Sequence, residues 1–420
     1  MTRYALYYTP AAGSPWWSAG CRWLGRDSSR GMTMPLPALP GIAPELFARL
    51  TERPRRYGFH ATLKAPFRLA QGFGEQDLLT MAQAFAERQR PVSLGTPQPQ
   101  LLRNFLALCP QEHSAELGAL ASRCVEYFDL LRAAPSSSEL EKRRATGLTP
   151  RQDALLQRWG YPYAEEAFQF HITLTDNLRN LAQPEIEALH AAAKQWFSSA
   201  ANSPPSLDAL TICREDEPGA PLMEWQRIPF NAAAPACAVP QPGKLFYLVG
   251  ASGVGKDTLL DWVRQRLPND ANIRIARRAI TRPAHATEAH EPMDAATFDQ
   301  RAADGCFSLM WRANGLSYGV RRGIEADMQA GHDVIVNGSR EFVPELKQCF
   351  PKASVIWVDA DPAVLRSRLE SRGREFGGAL TRRIERASQF RPGDGGDVVR
   401  LDNSGPIEQA GRGFLRLLTR

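Results

Sequence analysis

Long apolar runs are missing from this 420-residue chain. It has no stretch of ~18 consecutive apolar residues, the length that a membrane-spanning helix needs. The residues after Met1 lead into a strand-like pattern and lack the apolar core of a secretory signal peptide. The seven cysteines are scattered and include no Cys-x-x-Cys pair, so we expect reduced thiols and no zinc knuckle. The sequence therefore predicts a cytoplasmic protein with no membrane partner.

Lysine is also scarce. Only seven of the 51 basic residues are lysines, so 44 are arginines, and the formal net charge is +6. The planar arginine fork grips phosphate oxygens in pairs and suits anionic substrates, although a biased genome would give the same excess. Because no basic run and no aromatic-interleaved basic motif occurs, we expect no nucleic-acid partner. The oligomeric state is left open.

A proline-studded segment of small residues divides the chain. Residues 231–243 read as a linker between a domain at 1–230 and a domain at 244–420. In the first domain, short alternating runs and amphipathic stretches predict an α+β fold. The predicted strands are 4–8, 59–69, 101–108, 168–174 and 207–213, and the predicted helices are 75–89, 114–132, 151–159 and 184–198. The polar residues 134–147 are expected to form a mobile excursion.

The second domain changes to strand–helix alternation, which predicts an α/β fold with a parallel sheet. The predicted strands are 245–249, 333–336, 353–359 and 397–401, and the predicted helices are 258–266, 321–330, 341–349, 361–372 and 381–390.

A glycine-rich loop follows the first of these strands. It reads Gly-Ala-Ser-Gly-Val-Gly-Lys-Asp at 250–257 and leads into a helical pattern, the order of a phosphate-binding P-loop. Backbone N–H groups in such a loop wrap a polyphosphate, and Lys256 can reach the β and γ phosphates. We therefore expect ATP with Mg²⁺. The predicted nucleotide-binding residues are Gly250, Ala251, Ser252, Gly253, Val254, Gly255, Lys256, Asp257 and Thr258.

Further segments behind the loop resemble the guanylate-kinase-like nucleotide kinases. They are Thr-Arg-Pro at 281–283, Gly-Leu-Ser-Tyr-Gly at 315–319 and Glu-Ser-Arg-Gly-Arg at 370–374. The resemblance implies that Arg282 and Tyr318 contact the acceptor phosphate and that Arg372 closes over the transferring phosphoryl group as part of an arginine lid. It also makes Arg374, Arg382 and Arg383 candidates for substrate phosphate contacts. Phosphoryl transfer needs such neutralised charge and in-line positioning more than covalent chemistry.

Two positions depart from the guanylate kinase pattern. Asp257 stands where Ser or Thr usually holds magnesium, and the strand at 333–336 ends in Asn337 where an Asp is expected. With Leu-Asp-Asn-Ser-Gly at 401–405, both features resemble the ribose 1,5-bisphosphate phosphokinases of phosphonate catabolism. That resemblance implies a small phosphorylated sugar as substrate, and base-specific contacts from His290 and Glu291 are then not needed. Which residues hold magnesium is left open.

The first domain repeats an aromatic-His-x-Thr-apolar motif. It contains His60 and Thr62 in one strand-like run and His171 and Thr173 in another. Because strand side chains alternate, the His and Thr of each motif share a face. Two adjacent strands would place two imidazoles and two hydroxyls around one anion, a catalytic set for a metal-free phosphodiesterase. Zinc binding is the alternative, although no third ligand recurs nearby, and we predict no protein metal site.

The repeated motif resembles the two-histidine phosphoesterase superfamily, whose domains have two pseudo-symmetric α/β lobes. The segments 3–10 and 56–67 resemble its branch associated with phosphonate metabolism. Arg56, Tyr57 and Lys64 lie near the motif and are candidates for a second phosphate site or for structural contacts.

Together the resemblances imply a bifunctional enzyme of phosphonate catabolism. The first domain would open 5-phosphoribosyl 1,2-cyclic phosphate to ribose 1,5-bisphosphate, and the second would phosphorylate that product to 5-phosphoribosyl 1-diphosphate. The alternative is RNA end repair by a cyclic phosphodiesterase joined to a polynucleotide kinase, but the chain has no Lys-x-Asp-Gly ligase motif. A non-enzymatic interaction module is a further alternative, which an eroded P-loop would mark. The P-loop glycines and Lys256 are intact.

Overall fold

A computed structural model describes residues 2–112, 114–234, 241–267, 272–283, 290–371 and 398–418. The chain divides into two compact units, one of Met1–Ala70 with Met81–Pro240 and one of Gln71–Thr80 with Gln241–Arg420. The domain limits drawn from the sequence stay a prediction, and residues 235–240 of the predicted linker lie outside the described part. No helix among the described residues is long and apolar enough to cross a membrane.

The first unit is built on one antiparallel sheet. The strands in this part of the chain are β1 (Arg3–Tyr8), β2 (Arg26–Asp27), β3 (Met32–Thr33), β4 (Ala61–Phe67), β5 (Val92–Ser93), β6 (Gln98–Leu102), β7 (Phe105–Cys109), β8 (Ile172–Thr173), β9 (Ser206–Leu207), β10 (Ala209–Glu215) and β11 (Met223–Pro229). The helices are α1 (Pro15–Leu24), α2 (Pro44–Tyr57), α3 (Glu75–Ala86), α4 (Ala115–Tyr127), α5 (Ser137–Arg144), α6 (Pro150–Trp159) and α7 (Gln183–Phe197). The first turns of α3, residues 75–80, are grouped with the second unit. The seven-stranded sheet has the order β11-β10-β1-β4-β8-β7-β6, so β4 and β8 are neighbours near its centre.

The second unit is built on a parallel sheet. Its strands are β12 (Leu245–Gly250), β13 (Ile273–Ile275), β14 (Arg278–Ile280), β15 (Glu291–Pro292), β16 (Phe307–Ala313), β17 (Leu316–Arg321), β18 (Asp333–Asn337), β19 (Ser354–Asp359) and β20 (Val398–Asp402). Its helices are α8 (Lys256–Arg264), α9 (Ala295–Ala303), α10 (Gly323–Gln329), α11 (Val343–Cys349), α12 (Pro362–Ser371) and α13 (Ile407–Leu418). The five-stranded sheet β13-β18-β12-β19-β20 is parallel throughout, and β15-β14-β17-β16 form a second, four-stranded sheet. The predicted α/β fold with a parallel sheet is confirmed.

The central strand β12 is buried on both faces, as expected for a parallel sheet covered by helices. Phe246 and Leu248 pack into a core cluster with residues of α8 and α13, whereas Tyr247 and Val249 point into a second cluster on the opposite face. This burial fixes the end of β12, and therefore the start of the P-loop, in the middle of the sheet.

Three predictions for the first unit were wrong in detail. The strand predicted at 101–108 is the β6–β7 hairpin, whose turn includes Arg103 in a left-handed conformation with φ 54°. The strand predicted at 168–174 is reduced to the two residues of β8. The excursion predicted at 134–147 contains helix α5, which begins with a capping box between Ser136 and Glu139. The helix predicted at 381–390 lies outside the described residues.

Candidate active sites

The two His-x-Thr motifs lie side by side in the first unit. Ala61 of β4 pairs antiparallel with Ile172 of β8, and these are the central residues of the two motifs. In this register Thr62 is opposite His171 and His60 is opposite Thr173, with all four side chains on one face of the sheet. The arrangement brings together the four residues predicted to act in the phosphodiesterase.

Both imidazoles are oriented in the same way. The Nδ1 atom of His60 is 2.9 Å from the Gly58 carbonyl oxygen, and Nδ1 of His171 is 2.8 Å from the Gln169 carbonyl oxygen. A carbonyl oxygen only accepts, so each neutral ring carries its proton on Nδ1 and leaves Nε2 free to accept one. In His60 this Nε2 atom is 3.4 Å from Oγ1 of Thr62.

Burial disfavours the charged form of both imidazoles. Burial lowers the pKa of His60 from 6.5 to about 4, and the charge of His171 adds to this shift. The His60 ring also stacks on Tyr7, with 3.8 Å between the ring centroids. Burial lowers the pKa of His171 as well, with a further contribution from Arg103. Perturbed titrating groups of this kind cluster at functional sites.

A cavity of about 450 Å³ opens over the four residues. Four arginines contribute to its wall, namely Arg3, Arg53, Arg103 and Arg143. Tyr57 also lines the cavity, as the sequence suggested, whereas Arg56 and Lys64 do not appear in its lining.

Arg56 and Lys64 make structural contacts instead. Arg56 donates from Nη2 to the Glu215 carboxylate at 2.6 Å. Lys64 is 3% exposed and donates to the Val125 carbonyl oxygen at 3.0 Å. Among the residues that the structure describes, no three His, Cys, Asp or Glu side chains gather as a metal site.

The second site is the P-loop, between β12 and α8. Gly253 and Gly255 have φ angles of 90° and 94°, which residues with a Cβ atom rarely adopt. A Cβ atom on Gly255 would also lie 2.7 Å from Nδ2 of Asn403, whose amide donates to the Val254 carbonyl oxygen at 2.7 Å. Lys256, the first residue of α8, donates to the Gly250 carbonyl oxygen at 2.9 Å.

Asp257 lies in a polar cluster beside the loop. Its Oδ1 atom accepts from Nδ2 of Asn337 at 2.7 Å and is 3.4 Å from Nη2 of Arg278. Arg278 also donates to the Asn337 main-chain oxygen at 3.2 Å, and its guanidinium carbon is 5.8 Å from the centroid of the Tyr318 ring. Arg278 therefore contacts both Asp257 and Asn337, the two positions that depart from the guanylate kinase pattern, and it also lies near the Tyr318 ring. Sequence reasoning missed Arg278 because it precedes the Thr-Arg-Pro segment and belongs to no motif.

Of the five remaining arginines predicted for the kinase site, the structure describes only Arg282. Arg282 lies two residues beyond Ile280, which pairs with Tyr318, and it lines a cleft with Glu291 and Arg301. Glu291 accepts from Arg321 at 2.8 Å, so it has a structural partner. The other four predicted arginines, Arg372, Arg374, Arg382 and Arg383, lie outside the described residues, and their roles stay predictions.

A P-loop at the carboxyl end of the central strand of a parallel sheet, with a lysine and arginines around it, defines a P-loop phosphokinase. The chain is 52% identical over 419 residues to the ribose 1,5-bisphosphate phosphokinase PhnN of Janthinobacterium sp. (strain Marseille), covering 100% of this chain and 92% of that protein. It belongs to the PhnN family.

Two further comparisons give the range of this similarity. The protein of the same name from Laribacter hongkongensis (strain HLHK9) is 37% identical over 410 residues, which is 97% of this chain and 95% of that protein. A guanylate kinase structure from Anaplasma phagocytophilum covers 43% of this chain and 87% of that chain at 16% identity, with a TM-score of 0.33. A likeness at that score supports no conclusion.

Part of the first unit matches a described family of its own. Residues 62–223 match the family "Protein of unknown function (DUF1045)". The match includes Thr62, His171 and Thr173 and begins two residues after His60. Its description gives no activity.

Proposed function

We propose that the chain is a bifunctional enzyme of phosphonate catabolism. Its second unit transfers the γ-phosphoryl group of ATP to the 1-phosphate of ribose 1,5-bisphosphate and forms 5-phosphoribosyl 1-diphosphate. Its first unit is a two-histidine phosphodiesterase that opens 5-phosphoribosyl 1,2-cyclic phosphate to ribose 1,5-bisphosphate. The product of the first reaction is then the acceptor of the second, and no nucleic-acid partner is needed.

Membership of the PhnN family supports the kinase activity, since both full-length relatives carry the name of that reaction. The acceptor oxygen attacks the γ-phosphorus as the bond to the ADP oxygen breaks. Lys256 supplies positive charge at the β and γ phosphates, and the loop N–H groups hold them in line. We expect Arg278 and Tyr318 to contact the acceptor phosphate.

The residues around Asp257 fit a magnesium ion. Mg²⁺ prefers oxygen ligands, and the Asp257 carboxylate offers one at the start of α8. The Oδ1 atom of Asn337 is buried and has no hydrogen-bond partner among the described residues. Magnesium bound with ATP would neutralise phosphate charge during transfer. Asp257 and Asn337 are therefore the residues that we expect to hold it, directly or through water.

The kinase assignment is tested by acceptor choice. Purified protein with Mg-ATP should convert ribose 1,5-bisphosphate to 5-phosphoribosyl 1-diphosphate and release ADP at the same rate. GMP should be a poor acceptor, since Asp257 and Asn337 depart from the guanylate kinase pattern. Turnover of GMP at a rate matching that of ribose 1,5-bisphosphate would overturn the assignment.

One observation carries the phosphodiesterase proposal, namely the pairing of Ala61 with Ile172 that sets the two motifs around one cavity. One histidine accepts a proton from water at Nε2 while the water oxygen attacks phosphorus. The bond between phosphorus and O2 breaks, and the other histidine, which enters this step as an imidazolium protonated on both ring nitrogens, donates its Nε2 proton to the O2 leaving group. The Thr62 and Thr173 hydroxyls donate to the non-bridging oxygens. Each ring opening consumes one water molecule.

Hydrolysis in ¹⁸O-labelled water tests this reaction. Attack of water on phosphorus should put one ¹⁸O atom into the 1-phosphate of each product molecule, which phosphorus NMR detects as an isotope shift. No label in the 1-phosphate would rule out attack of water on phosphorus. Absence of ring opening by the purified protein would remove the proposal for the first unit and leave the kinase assignment standing.

A further inference from the structure

Two arginines of the first-unit cavity are held by aromatic rings. Arg103, in the turn of the β6–β7 hairpin, donates from Nη1 to the Tyr163 hydroxyl at 3.2 Å, and its guanidinium carbon lies 4.9 Å from the centroid of that ring. The guanidinium carbon of Arg143, near the end of α5, lies 5.5 Å from the centroid of the Tyr161 ring.

The two aromatic supports form one unit. Tyr161 and Tyr163 pack edge to face with 5.5 Å between their centroids. A guanidinium held over an aromatic ring by cation–π attraction still has N–H donors for an anion. The tyrosine pair therefore carries two arginine forks on one wall of the cavity.

Two of the four cavity arginines lie beside carboxylates. Arg3 is paired with Glu215, and Arg53 lies 3.7 Å from Asp176. Among the described residues, neither Arg103 nor Arg143 forms an ion pair with a carboxylate. Two like charges on one wall repel each other, and a bound anion would remove that repulsion. The effect of Arg103 on the pKa of His171 shows that its field reaches the catalytic residues.

We propose that Arg103 and Arg143 form a second anion subsite, which binds a phosphomonoester on the substrate while the cyclic phosphate lies between His60 and His171. This inference rests on the proposed phosphodiesterase function and deepens it. It makes the first unit specific for a cyclic phosphodiester that carries a separate phosphate group. A phosphomonoester dianion has the geometry for paired N–H donors from arginine, and it has more charge than the cyclic diester.

Two substrates that differ in one phosphate test the subsite. Wild-type protein should prefer 5-phosphoribosyl 1,2-cyclic phosphate over ribosyl 1,2-cyclic phosphate. Arg103→Gln and Arg143→Gln should each lower kcat/KM for the phosphorylated substrate by about 10- to 100-fold, the range for a lost charged hydrogen bond. Both variants should lower kcat/KM for the unphosphorylated substrate by a smaller factor, so the preference for the phosphorylated substrate should fall.

Two variants serve as controls. Arg144→Gln changes the neighbouring residue of the same helix, whose side chain bonds to Asp153 at 2.6 Å, and it should keep the preference of the wild type. Arg103→Lys keeps the charge but loses the fork, so it should recover part of the preference. Equal losses with both substrates in Arg103→Gln and Arg143→Gln would overturn the subsite, since the arginines would then act on the fold or on the histidines.

A binding measurement separates failure of the subsite from failure of the proposed activity. Ribose 5-phosphate added to the full chain should shift the NMR ring signals of His171 in the wild type and not in the Arg103→Gln, Arg143→Gln double variant. If the wild type hydrolyses neither cyclic phosphate but shows this shift, the phosphodiesterase fails and the anion subsite stands. If the double variant shifts as the wild type does, the subsite fails.

Discussion

The side-chain amide of Asn337 donates a 2.7 Å hydrogen bond to the carboxylate of Asp257. These are the two positions at which the chain departs from the usual P-loop kinase sequence. A carboxylate has been gained at the start of α8, and an expected carboxylate is missing at the end of β18. The site therefore has one carboxylate beside Arg278, and this carboxylate belongs to helix α8 instead of the end of strand β18. We therefore predict that the two departures compensate each other.

Exchanging the two side chains tests this compensation. Asp257→Asn and Asn337→Asp should each lower the thermal midpoint and kinase activity, because each single change leaves two amides or two carboxylates facing each other. The double exchange restores an amide–carboxylate pair and should recover stability, with a coupling energy of about 0.5–3 kcal/mol. Thermal unfolding of the four proteins measures this cycle.

Magnesium affinity gives the exchange a second readout. If magnesium binding requires the carboxylate at position 257, the double exchange should bind Mg-ADP more weakly than the wild type, even though its stability recovers. Calorimetry with and without magnesium separates the two effects. A double exchange as unstable as the sum of the single variants would show that the contact between the two residues has no energetic importance.

Lys256→Ala should stop the kinase and spare the phosphodiesterase. The lysine begins α8 at the P-loop, and the loss of a preorganised charge from the transferring phosphates costs about 10²–10³-fold or more in rate. The His60 and His171 site lies in the other compact unit and should keep its activity. Separate assays of the two reactions decide this. Loss of both activities in a protein that still unfolds cooperatively would contradict independent sites.

Each histidine of the first unit should be needed for ring opening. His60→Ala and His171→Ala should each lower the rate by about 10²–10⁴-fold, and the double variant should lose less than the product of these effects because the pair acts as a unit. Thr62→Val and Thr173→Val should be milder, since each removes one hydrogen bond and leaves proton transfer in place.

His190 offers a matched control for these variants. It lies in the same unit, outside the cavity lining, and its Nε2 atom is 2.9 Å from the Pro99 carbonyl oxygen. His190→Gln should retain ring-opening activity. Near wild-type hydrolysis by His60→Ala would mean that the first motif is only part of a strand.

The lowered pKa of His60 makes a prediction for stability. Between pH 6.5 and about 4 the unfolded chain binds a proton that folded His60 does not. The free energy of unfolding should therefore decrease as the pH is lowered through this window. The slope from one such histidine is at most about 1.4 kcal/mol per pH unit. Denaturant unfolding of the wild type and His60→Gln should differ in slope within this window and run parallel above it. Equal slopes throughout would show that His60 titrates normally.

Local sequence determined what could be predicted. The P-loop needs glycine at Gly253 and Gly255 for its backbone angles, and the loop, its strand and its helix are contiguous in the chain. The two His-x-Thr motifs were found because they repeat, although β8 is only two residues long and gives a weak strand signal. The two motifs come together because β4 and β8 are neighbours in the sheet, and this strand order could not be predicted from the sequence.

The unpredicted features depend on contacts between distant residues. Helix α5 has Leu140 as its one apolar residue and buries none of its residues, so the sequence shows no apolar periodicity there. The Arg103 and Arg143 pair depends on Tyr161 and Tyr163, which bring together a hairpin turn and a helix that are far apart in sequence. Lys64 is two residues beyond Thr62, so simple alternation would place it on the same face as the motif. The pairing of β4 with β1 is irregular between Thr62 and Lys64, and the Lys64 ammonium reaches the Val125 carbonyl oxygen instead.

One phosphorus NMR experiment tests the bifunctional assignment directly. The full chain is incubated with 5-phosphoribosyl 1,2-cyclic phosphate and ATP in EDTA, and excess magnesium is added later. We expect ribose 1,5-bisphosphate to accumulate first, since the proposed two-histidine mechanism needs no metal, and then to disappear into 5-phosphoribosyl 1-diphosphate once magnesium is present. A cyclic phosphate that stays intact in EDTA, and opens only when zinc or manganese is restored, would contradict the metal-independent site at His60 and His171. A cyclic phosphate that never opens would contradict the assignment of two consecutive reactions to one chain.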